Sequence, residues 1–97
     1  MVAAQERIVA RRIVVHGRVQ GVFFRAATRR IAQHHGISGW VRNRPEGTVE
    51  AWLEGPPDAV EAVEAWITTG GPPSAVVDHL EVERRTPQGL GGFEVRR

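Results

Sequence analysis

Twice along this chain a β-branched run gives way to helical spacing, and each time strand-like segments follow. That order leaves few architectures open. Residues 7–16, RIVARRIVVH, are short and rich in Ile and Val, as in a strand, although their apolar positions do not alternate strictly. From Phe24 the apolar residues fall at Phe24, Ala27, Ile31 and Ala32, one face of a helix, and Gly36 stops it. Residues 37–43 and 48–54 are short strands separated by RPEG, a turn signal, so a hairpin is expected. In the second of them Val49, Ala51 and Leu53 face one way, and Glu50, Trp52 and Glu54 the other.

Residues 55–71, GPPDAVEAVEAWITTGG, predict a second helix. Prolines are tolerated at its start, Asp58 suits the first turn, and Gly70 and Gly71 close it. Val60, Val63, Trp66 and Ile67 form its expected buried stripe. VVDHLEVERR, residues 76–85, predicts a strand, and FEVRR at the end a short terminal one. The order βαββαβ plus that terminal strand predicts an α+β fold. It is the ferredoxin-like split βαβ sandwich, an antiparallel sheet with two helices on one face.

At 97 residues the chain fits one domain, and with no cysteine neither a disulfide framework nor a zinc-thiolate site is available. Glu6, Arg7, Arg11 and Arg12 interrupt the N-terminal residues, and no run approaches membrane-spanning length, so a cytoplasmic protein without a membrane partner is expected. All thirteen basic residues are arginine. That set supplies no Schiff-base lysine but suits planar recognition of phosphate or carboxylate.

Familiar catalytic patterns are missing. Of the four histidines, His16, His34, His35 and His79, the adjacent His34 and His35 would diverge on a helix, and no His-Glu-x-x-His spacing occurs, so no metal site is expected. Ser38 and Ser74 lack a nucleophile elbow. GLGGFE lacks the last glycine of a dinucleotide fingerprint and precedes a strand, which makes it a loop. What remains is HGRVQGVFFR, residues 16–25, where two glycines four apart join the first strand to the first helix. Glycines there let successive N–H groups turn toward one point at the positive end of a helix, and Arg25 adds a planar, always-charged fork. The spacing is not that of a nucleotide P-loop, and on spacing alone an ordinary strand-to-helix connector stays open beside an anion site.

GRVQGVFFR, residues 17–25, followed by GWVRN, residues 39–43, resembles the paired signature of acylphosphatases. GTVE after the turn, a second helix rich in Ala, Val and Glu, and the terminal Phe-x-Val strand extend the resemblance from about Arg12 to the end. It implies metal-independent hydrolysis of the carboxyl-phosphate bond of acyl phosphates, giving a carboxylate and inorganic phosphate, with no cofactor. In that family pattern Arg25 matches the phosphate-binding arginine. The backbone of Gln20, Gly21, Val22, Phe23 and Phe24 matches the phosphate cradle, and Asn43 matches the residue that orients the attacking water. Gly17 and Thr48 are candidates for supporting roles. Arg44 stands where some members carry a small hydroxylated residue. Residues 1–10 have no clear counterpart and could form an N-terminal extension to a single domain spanning 1–97.

The small-molecule acyl phosphate is thus the expected partner, and a monomer the expected state. A membership in a larger carbamoyl-transfer maturation factor is not expected, since the chain ends at Arg97. The rival from another class is an RNA-binding module of the same element order, stacking bases on Trp40 and Trp52 if these lie together on the open sheet face. TVEAWLEG argues against it: the aromatic-rich RNA motif is missing, and Glu50 and Glu54 beside Trp52 would repel a phosphate backbone. No nucleic-acid partner is expected.

Overall fold

The computed structural model describes residues 7–97, and two helices pack on one face of a five-stranded mixed sheet. In chain order the elements are β1 (Val9–Arg18), α1 (Phe24–His34), β2 (Ser38–Asn43), β3 (Val49–Gly55), α2 (Pro57–Thr68), β4 (Val76–Arg85) and β5 (Phe93–Arg96). Of the residues expected as an extension, 1–6 lie outside the described residues, while Val9 and Ala10 belong to β1. Among the described residues no helix is long and apolar enough to cross a membrane.

The strands run in the order β4-β1-β3-β2-β5, which puts β3 in the middle and explains why all seven of its residues are buried. Ile13 and Val15 of β1 join Val41, Val49, Ala51 and Leu53 beneath Val60, Val63 and Ile67 of α2 and Phe24 and Ala32 of α1. Burying these aliphatic chains is the main source of stability, at about 1.5–3 kcal/mol for each larger one. Val14 points to the other face yet is also buried, since it pairs with Glu50 on one side and Glu81 on the other. This is why the apolar residues of β1 do not alternate. Trp66, expected in the buried stripe of α2, is only half-buried and instead leans on Phe24 with ring centroids 5.9 Å apart.

The sheet is not wholly antiparallel: β5 pairs parallel with β2. The reason is directional. β4 and β1 are antiparallel, as are β1 and β3 and then β3 and β2, so β4 ends where β1 and β2 begin. A strand entering from that end must run with β2. To reach it, loop 86–92 crosses four strand spacings, roughly 19 Å, which a nearly extended segment of this length can span. Gly39 of β2 is required on the β3 side: a Cβ there would collide with the Trp52 carbonyl oxygen, and its φ is +143°.

The Glu54 carboxylate anchors the crossing. It accepts N–H bonds from Gln88 (2.9 Å), Gly89 (2.7 Å) and Leu90 (3.0 Å), and from the Trp52 indole (2.9 Å). Burial pushes this carboxyl up, but the backbone donors and the indole outweigh it and hold it below its ordinary value. Glu50 is pushed up by burial too, and pulled down further by Arg42 (2.7 Å) and Arg12 (2.6 Å). With lowered folded-state values, both carboxyls bind fewer protons folded than unfolded. Their stabilisation is therefore complete above about pH 4.3, the unfolded value, and drains as pH falls through the lower folded ones. Glu54→Gln turns an NH₂ toward the loop donors and is expected to lower Tm at pH 7 by roughly 5–15 °C, from about 1–2 kcal/mol per orphaned donor. Thermal melts across pH check it: the gap to wild type should close below pH 4, and equal Tm values at pH 7 would show that the carboxylate does not hold the loop.

On the same face Trp40 and Trp52 do lie together, stacked at 6.4 Å with 19° between their planes. Trp52 is only 4% exposed, Arg96 sits 4.8 Å above the Trp40 ring, and Arg85 lies 5.8 Å from that of Trp52. The two glutamates beside the pair are compensated, Glu50 by two arginines and Glu54 by backbone donors, so the carboxylates do not act as the free repelling charges expected from the sequence.

Candidate active site

At the opposite end of the sheet from loop 86–92, the chain leaves β1 through a bulge between His16 and Gly17 and turns into α1. Gly17 belongs to the bulge. A Cβ there would lie 2.1 Å from the Val76 carbonyl oxygen, so only glycine lets β4 approach this closely. Gly21 has φ +75° with open space around it, and Phe23, the residue before α1, has φ 63°. A left-handed phenylalanine is uncommon; here it reverses the chain into the helix and leaves its ring 83% exposed.

The start of α1 carries no side-chain cap and no acidic residue in its first turn. Its first backbone bond runs from the Ala27 N–H to the Phe23 carbonyl at 3.0 Å, so the preceding N–H groups have no partner within the helix. With the helix dipole behind them, they present positive charge that no carboxylate of that turn offsets.

Beside this helix start lies a cleft of about 310 Å³ lined by Val19, Gly21, Phe23, Phe24, Arg25, Ala26, Asn43 and Val95. Arg25 enters from the first turn of α1. Its Nη1 donates to the Arg96 carbonyl at 3.2 Å, which ties the guanidinium to β5 through one of its five N–H donors. Asn43 arrives as the last residue of β2, opposite Val49 of β3. Five of the residues expected at a site therefore meet in one cleft: Gly21, Phe23, Phe24, Arg25 and Asn43.

The other four do not line it. Val22 packs against the core. Gly17 shapes the bulge. Thr48 is buried in the turn, with its hydroxyl donating to Glu46 at 3.1 Å. The Gln20 side chain donates to the carbonyls of Arg44 (2.8 Å) and Thr48 (2.9 Å), stapling the glycine loop to the β2–β3 turn that follows Asn43. The Arg44 side chain turns to Glu46 at 2.8 Å, while its N–H donates to the Thr48 carbonyl at 2.9 Å and closes the turn.

Val19, Ala26 and Val95 line the cleft without having been singled out in the sequence. Val19 lies within the first motif and Ala26 directly follows it. Val95 carries no local signal, because it reaches the cleft only through the parallel register that sets it opposite Val41. His34 and His35, expected to diverge on a helix, instead meet edge to face at 5.1 Å, since α1 ends at His34.

Residues 11–95 match the acylphosphatase family model. An acylphosphatase of Gloeobacter violaceus is 57% identical over 83 residues, covering 86% of this chain and 88% of the relative. The solved acylphosphatase of Bacillus subtilis superposes with a TM-score of 0.87 at 34% identity, covering 92% of this chain and 99% of the other. That of Coxiella burnetii has the same TM-score and identity, covering 92% and 93%.

Proposed function

The chain belongs to the acylphosphatase family, a family of hydrolases, and from that membership we propose that its cleft hydrolyses acyl phosphates to a carboxylate and inorganic phosphate without a metal. The observation that carries this reading is the meeting of Arg25, Asn43 and an uncapped helix start around one cleft large enough for a phosphoryl group and part of its acyl substituent.

The phosphoryl group sits against the N–H groups of the glycine loop and first helical turn, with the Arg25 guanidinium over its oxygens. Phosphoryl transfer passes through a loose transition state with charge spread over three equatorial oxygens, so positioning and electrostatic stabilisation are the main tasks. Fixed donors and a planar cation perform both. The Asn43 amide accepts a hydrogen bond from water through its oxygen and donates through its nitrogen, holding the water in line with the scissile bond. Water oxygen bonds to phosphorus, the bond from phosphorus to the acyl oxygen breaks with its electron pair, and the carboxylate leaves. The water proton passes to a phosphoryl oxygen. A carboxylate is a weak base, so departure needs no strong general acid.

Hydrolysis of benzoyl phosphate by the purified chain in excess EDTA tests the reading. Turnover that survives the chelator and is competitively inhibited by inorganic phosphate is expected. Folded protein that binds phosphate but turns over nothing would reduce the cleft to an anion-binding site.

A further inference from the structure

On the open sheet face, where β1 bulges against β4, we propose a second site: His16, His79 and Glu81 bind one divalent transition-metal ion, with zinc the best fit. His16 and His79 stand directly opposite each other across the two strands, and Glu81 lies two residues beyond His79 on the same face. One ligand atom from each residue falls within 4.8 Å of the others. The His16 Nε2 is already 2.6 Å from the Glu81 carboxylate, and the two imidazole centroids are 5.1 Å apart.

Sheet geometry explains the convergence. Directly opposed side chains and their diagonal neighbours are the closest pairs on a sheet face, and a bulge sharpens the local twist. A tetrahedral ion with bonds of roughly 2.0–2.1 Å wants its ligand atoms about 3.4 Å apart. The ligand atoms already lie within 4.8 Å of one another, and the three side chains are exposed or half-exposed, which leaves their rotamers free to adjust toward that spacing. The ion would take the place of the direct contact between His16 and Glu81.

Ligand chemistry selects the ion. Two imidazole nitrogens and one carboxylate suit zinc, nickel or copper and disfavour magnesium and calcium, which prefer oxygen alone. Three protein ligands leave a position for water, and an exposed site imposes no cavity to exclude it. None of the three residues lines the cleft, so hydrolysis and metal binding stand or fall separately. What the ion would do is clamp edge strand β4 to β1 just before β1 turns into the glycine loop.

Isothermal titration of the full chain with zinc chloride, paired with thermal melts, tests the site. One zinc per chain and a Tm raised by zinc and restored by EDTA are expected. His79→Ala, a change at an exposed position of an edge strand, should weaken binding at least about tenfold, the loss that follows from disturbing even an outer-shell partner of a metal. It should also remove the Tm shift. His34→Ala, at the other histidine pair, should bind like wild type. No binding at millimolar zinc, or binding that survives His79→Ala or is lost in His34→Ala, would overturn the assignment.

Discussion

Arg25→Ala is expected to lower kcat/KM for benzoyl phosphate by at least about 10²–10³-fold, the loss of roughly 2.7–4 kcal/mol typical of removing one preorganised donor from developing charge. It should also weaken inhibition by inorganic phosphate, because the proposed contact of the guanidinium with the phosphoryl oxygens is made in the ground state as well. Arg25→Lys should recover little of either. An ammonium is a point charge without the planar fork, and it could not both bond the Arg96 carbonyl and span two phosphoryl oxygens in the same geometry. The side chain is half-buried at the cleft edge rather than in the core, so melts of both variants should stay near wild type. Steady-state kinetics with phosphate as inhibitor decide the point: a lysine variant of full activity would show that charge alone suffices.

Asn43→Ala divides the parameters differently. In the proposed mechanism the amide touches water rather than the phosphoryl group, so kcat should fall on the order of 10²-fold, the scale of a reactant misplaced by an ångström. The inhibition constant of phosphate should barely move. The backbone at position 43 pairs with Val49 whatever its side chain, so the hairpin should hold. Full kcat in this variant would remove Asn43 from the reaction, and a parallel loss of phosphate binding would make it part of the cradle.

Most of the fold could be read from spacing because each element buries a distinct face. The Val60, Val63 and Ile67 stripe and the split of Val49, Ala51 and Leu53 from Glu50, Trp52 and Glu54 are local patterns, and the structure keeps them. The direction of β5 is not local. It follows from where β4 ends and from a loop held by Glu54, whose partners at Gln88, Gly89 and Leu90 lie more than thirty positions away. The half-burial of Trp66 likewise depends on Phe24 across the helix seam.

At the cleft the same division holds. Arg25, Asn43 and the glycine loop were recognisable from two short motifs. The Gln20 staple, the Arg96 carbonyl and Val95 were not, since each depends on a segment distant in sequence meeting the loop. The His16–His79 pair was missed for a related reason: metal spacings in sequence describe ligands on one helix or loop, whereas these two share a face only through the register of β1 and β4.

The cleft is proposed to hold the phosphoryl group and deliver water to phosphorus. Hydrolysis of benzoyl phosphate in heavy-oxygen water, with the label located in the products by mass spectrometry, tests it most directly. Label is expected in inorganic phosphate and none in benzoate. Label in benzoate would mean that water attacks the carbonyl carbon, and that Arg25 and the helix start bind the leaving group rather than the reacting centre.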